Sequence, residues 1–86
     1  MTFEGAIIRE QNVTFAVAIV RASVIRNSTE RQQAQAAFSG VFEGLPVVLM
    51  AQDAHGSPTY WGRPDLARFL ANVPLQAIPW RRYTYN

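Results

Sequence analysis

Val13-Thr14-Phe15-Ala16-Val17-Ala18-Ile19-Val20 is apolar on both of its alternating sides. Val13, Phe15, Val17 and Ile19 fall on one parity, and Ala16, Ala18 and Val20 on the other. Successive side chains of an extended chain point to opposite faces, so a strand with one wet face alternates apolar with polar residues. This stretch does not alternate, which places it in a sheet covered on both sides. Val47-Val48-Leu49-Met50-Ala51 shows the same two-sided character. Two such strands in a chain of 86 residues point to a layered domain.

The flanking segments supply the other elements. Phe3 to Arg9 reads as a strand, and the polar break Gln11-Asn12 joins it to Val13–Val20 as a hairpin. Asn27-Ser28-Thr29-Glu30 opens a helix, because Asn27 can accept from free backbone N–H groups and Glu30 lies three residues on. Ala34, Ala37, Phe38, Val41 and Phe42 then recur at helical spacing, and Gly44 and Pro46 stop the run. Beyond Ala51, the turn-forming loop Asp53-Ala54-His55-Gly56-Ser57 leads to Thr59-Tyr60-Trp61, a second hairpin. Gly62-Arg63-Pro64-Asp65 starts a second helix, with Pro64 at its first position and Asp65 near its positive end. Its stripe is Leu66, Phe69, Leu70 and Val73. Ile78 to Tyr85 reads as a short edge element, because Pro79 cannot donate to a central ladder. The expected fold is a single domain over residues 1–86, α/β or α+β in class. Its order is ββαββα with a terminal strand, giving a mixed sheet of four or five strands and two helices. Phe38 and Phe69 are the expected core anchors.

Residues 44–73 resemble the C-terminal hairpin and helix of the thioredoxin and glutaredoxin fold. The shared features are Gly44-Leu45-Pro46-Val47-Val48-Leu49-Met50, a polar hairpin loop, and Tyr60-Trp61-Gly62 leading into Asp65-Leu66-Ala67-Arg68-Phe69-Leu70. The resemblance would make Pro46 the counterpart of that family's strand-opening proline. It implies a layered domain and no redox activity, since the chain contains no cysteine. A single helix returning along the sheet also makes Val47–Ala51 parallel to Val13–Val20, where that family has the corresponding pair antiparallel.

Composition narrows the function classes. A short chain buries a modest share of its surface, and small domains compensate with disulfides, metals or self-association. Without cysteine, self-association is the expected supplement, as a homodimer. All eight basic residues are arginine and the net charge is +2. The excess lies after Gly44, where Arg63, Arg68, Arg81 and Arg82 face only Asp53 and Asp65. That is too little to imply a polyanion partner by itself. No apolar run is long enough to span a bilayer, and no cleavable leader is evident, so the expected location is cytoplasmic with no membrane partner.

Three stretches compete as sites. Asp53, His55 and Ser57 are the residue types of acid–base and nucleophilic chemistry. The same composition is ordinary for a hairpin loop, so no catalytic site is expected there and the loop is expected to tolerate replacement of Asp53 and His55. Two ligands are also too few for a metal, and no cofactor is expected. Arg63 could assist an anion at the second helix N-terminus, but Asp65 already occupies that end. Trp80, Arg81, Arg82, Tyr83 and Tyr85 interleave aromatic and basic side chains, which can bind single-stranded nucleic acid. In an extended chain, however, Arg81, Tyr83 and Tyr85 share one face while Trp80 and Arg82 take the other, so no single stacking platform forms. Docking on the core or across a subunit boundary is the favoured reading. The expected function is a small non-enzymatic binding module that self-associates. A single-stranded nucleic-acid binder is the alternative, and a hydrolase centred on His55 the second. The two-sided strands add a condition: helices on one face would leave the other for a second copy, whereas helices on both faces weaken that need.

Overall fold

A computed structural model describes residues 2–10 and 12–84. Nine elements follow one another: β1 (Thr2–Glu10), β2 (Val13–Ile19), α1 (Ala22–Arg26), α2 (Ser28–Val41), β3 (Val47–Gln52), β4 (Pro58–Trp61), α3 (Pro64–Ala71), a 3₁₀ turn (Leu75–Ala77) and β5 (Arg81–Thr84). The strands form one mixed sheet in the order β4-β3-β2-β1-β5. β2 and β3 pair in parallel, Ala16 opposite Val47 and Ile19 opposite Met50, and the other three pairings are antiparallel. The two strands read as apolar on both parities lie side by side inside the sheet, joined by the helical crossover that parallel neighbours require. The Leu45–Pro46 peptide is trans.

The parities divide the core into two layers. Phe15, Val17, Val48 and Met50 pack with Leu66 and Leu70 of α3. Ala16, Ala18, Val47 and Leu49 pack with Phe38 and Phe42 at the C-terminal end of α2, and Ile25 of α1 joins them. The helices therefore cover opposite faces, and no sheet face is left bare for a partner to cover. The chain also has one helix more than expected. α1 runs only from Ala22 to Arg26, with no side-chain cap and no buried residue, so it lacks the signals that mark a helix in sequence.

Local chemistry fixes the ends of α2. The Asn27 side chain accepts from the Glu30 N–H at 3.0 Å, as expected of a capping residue. At the other end, the Gly44 N–H donates to Ser39 O (3.0 Å) and the Glu43 N–H to Gly40 O (3.4 Å), the paired bonds of a Schellman stop. Glu43 takes a left-handed conformation there (φ 51°), followed by Gly44 at 83°. Gly5 answers a different need. A Cβ at that position would lie 2.5 Å from the Val17 carbonyl oxygen, so β1 and β2 can approach this closely only over glycine.

Candidate functional site

The Asp53–Ser57 loop is built mainly by Asp53, with the Gln52 side chain donating to Gly56 O at 3.0 Å. Asp53 Oδ1 accepts from the backbone N–H groups of His55 (2.8 Å) and Ser57 (2.9 Å), and the Asp53 carbonyl accepts from Gly56 at 3.0 Å. Gly56 takes the positive φ (81°) that such a tight loop requires. The carboxylate thus holds the turn together, and its described bonds go to backbone rather than to the His55 ring. Asp53 also reaches the rim of a cleft of about 190 Å³ with Ile25, Arg26 and Thr59, whereas His55 and Ser57 are exposed at the loop tip. The geometry brings the three residues together as a turn. The two backbone bonds give a replacement of Asp53 a cost that a replacement of His55 lacks.

At the start of α3, Arg63 Nε and Nη2 donate to Asp65 Oδ1 and Oδ2 at 2.9 and 2.7 Å. This two-pronged pair lies in solvent, with side chains 50% and 59% exposed. The guanidinium hydrogen-bonded to it pulls the Asp65 carboxyl down from 3.8 to about 2, and the same bond raises Arg63. An anion at this helix end would have to displace the carboxylate, so Arg63 is committed within the chain.

The C-terminal segment is integrated into the domain. β5 pairs with the first half of β1, Tyr83 opposite Phe3 and Arg81 opposite Gly5. The Tyr83 ring stacks on Phe3 (centroids 5.3 Å, 15° between planes) and meets Phe42 edge-on at 5.3 Å. On the other face, the Trp80 indole N–H donates to Leu75 O at 3.0 Å, and Arg82 Nη2 stands 3.8 Å from Glu4 Oε1. The two rings thus serve opposite core layers, while Arg81 and Arg82 remain exposed. Tyr85 lies outside the described residues. Among the described residues, no cluster of three or more histidines, aspartates or glutamates could hold a metal ion. No helix among them is long and apolar enough to cross a membrane.

A fourth feature was not singled out by sequence reasoning. Ile7, on the α2 side of β1, is 46% exposed and is the large apolar side chain left in solvent among the described residues. Val41, Phe42, Leu45, Glu43 and Tyr83 join it around an open groove of about 380 Å³. The reason lies in the length of β5. It covers β1 from Thr2 to Gly5 and leaves the outer edge from residue 6 onward unpaired by any described strand. The sequence signal was present in Ile7-Ile8-Arg9, but it read as ordinary strand because nothing local reveals how far a neighbouring strand will extend.

The fold and this surface define an α+β domain with both sheet faces covered and one sheet edge half open. Comparison with known proteins adds no relative: no family model, curated protein or solved structure matches the chain.

Proposed function

We propose that this chain is a small non-enzymatic interaction module that self-associates. The observation that carries the reading is the open groove around Ile7, where an exposed apolar side chain lies beside an unpaired strand edge. Such edges recruit further chains unless they are blunted. The catalytic alternative loses support because the Asp53 carboxylate is occupied by the backbone of its own loop. The nucleic-acid alternative loses support because Trp80 and Tyr83 are turned into opposite core layers. What remains of it is the pair of exposed guanidinium groups, Arg81 and Arg82, which do not form a stacking surface.

Sedimentation equilibrium over micromolar to millimolar protein tests the reading. A mass rising from one chain to two supports it, and a single-chain mass throughout overturns it. A labelled oligonucleotide shift that weakens steeply with salt would instead assign the module to single-stranded nucleic acid.

A further inference from the structure

The hydrogen-bond phase of the sheet determines which groups the open edge presents. The Ala16 N–H donates to Pro46 O and the Val20 N–H to Met50 O, so the even-numbered residues of β2 point their backbone groups toward β3. Its odd-numbered residues therefore face β1, and through the pairs Glu10–Val13, Ile8–Phe15 and Ala6–Val17 they engage the even-numbered residues of β1. The odd-numbered residues of β1 face outward. Phe3 and Gly5 meet Tyr83 and Arg81 of β5. Ile7 and Arg9 meet no described strand, and their N–H and C=O groups form a ready half-ladder.

The other free edges of the sheet are defended. β4 is four residues long and begins at Pro58, and β5 is four residues long and carries Arg81 and Arg82. Short strands, prolines and charges are the usual means of discouraging edge pairing. The second half of β1 carries one outward-facing charge as well, Arg9, but sets it beside the exposed apolar Ile7.

We infer that two copies of the chain join through this half of β1, antiparallel about a two-fold axis at Ile8, to make one continuous sheet across the pair. The inference rests on the self-association proposed above and assigns its surface. The occupant is a second copy because the edge complements itself. With Ile8 opposite its own counterpart, Ile7 of one chain stands opposite Arg9 of the other, and both are outward-facing, so the four backbone groups on each side form bonds. Directly opposed side chains lie on the same face, which brings Arg9 of one copy to the Ile7 groove of its partner. That groove carries one acid, Glu43. Arg9 and Glu43 have no ion-pair partner among the described residues, and both are exposed. The two-fold axis supplies that pair twice. It also places the two Ile7 side chains diagonally beside each other, between the Val41 and Phe42 side chains of both copies.

Amide hydrogen exchange and sedimentation on the full chain test the inference. Protection of the Ile7 and Arg9 amides should rise with protein concentration in step with the mass. Ile7→Pro removes the outward N–H where an edge strand tolerates proline, and should weaken the dimer by about a hundredfold or more. Arg9→Glu should weaken it by about fivefold to tenfold, and Glu43→Arg by a similar factor. The double exchange Arg9→Glu with Glu43→Arg should recover the original constant within about twofold, since it restores both pairs. This last comparison does not depend on how well the proline variant folds. A dimer unchanged in both Ile7→Pro and Arg9→Glu overturns the inferred surface while leaving self-association in place. Charge variants that weaken the dimer without mutual rescue overturn the register. A chain that is monomeric at every concentration overturns both proposals together.

Discussion

Asp65 shows how a single exposed carboxylate can carry a readable signature. It titrates at about 2 when folded against an ordinary 3.8, so the folded state binds fewer protons across that interval. Its contribution to stability is complete above about pH 4 and is lost as pH falls through 2. Exposure and salt keep that contribution small. A carbon-detected NMR titration should place the Asp65 midpoint near 2 and return it toward 4 in Arg63→Gln; an unchanged midpoint in that variant would remove the guanidinium as the cause. Asp53 and His55 should separate in the same kind of comparison. Asp53→Ala leaves two loop N–H groups without their acceptor and should cost about 0.5–1.5 kcal/mol, whereas His55→Ala should leave the thermal midpoint unchanged. Equal costs would place the His55 ring in the loop's support. Tyr60 makes the opposite case, because its hydroxyl is screened from solvent with no partner among the described residues, and burial pushes its pKa up. Tyr60→Phe removes that unsatisfied group and should raise stability by up to about 1 kcal/mol. A loss of similar size would mean the hydroxyl holds a bond.

The elements differ in how openly the sequence declares them. β2 and β3 were legible because apolar residues on both parities have no other stable placement than an inner strand. α2 was legible at both ends, since Asn27 caps it and Gly44 takes part in its stop. The choice of anchors within the helices was only half legible. Phe38 is buried as expected, but Phe69 is half-buried and meets Phe15 edge-on at 6.3 Å, while Leu66 and Leu70 lie deeper in the layer. A periodic stripe gives the face of a helix and does not reveal which member points at the centre of the sheet. Phe38→Ala and Leu70→Ala should therefore cost about 3–5 and 2–5 kcal/mol respectively in urea unfolding, and Phe69→Ala about 1–2. A Phe69 variant as damaging as the Phe38 one would place its ring deeper in the core. Arg31 shows a limit of another kind. Its guanidinium lies 4.7 Å above the Trp61 ring and donates to Ile25 O at 3.0 Å, fastening α2 to α1 and β4. Nothing local to Arg31 announces a partner thirty positions away.

Over the whole molecule, the placement of helices on both faces changes where a partner is expected. A bare sheet face would have called for one broad apolar contact. Two covered faces move the demand to the rim of the sheet, and the covering of that rim depends on where β5 stops, which no local pattern encodes. The same strand has a consequence for the order of folding. β1 and β2 meet across a tight turn and can zip together at once, but Phe3 waits for Tyr83, which comes from the far end of the described sequence. Contacts that close so long a loop tend to form late. Tyr83→Ala should accordingly speed unfolding several-fold and leave the refolding rate within about twofold in stopped-flow experiments. A refolding rate that falls with stability would put β5 in the folding nucleus. During synthesis, the first strand is made long before its outer neighbour. Until Arg81–Thr84 are released, the entire length of β1 offers a template to any neighbouring nascent chain, so crowding on a shared messenger, more than native stability, sets its exposure to mispairing.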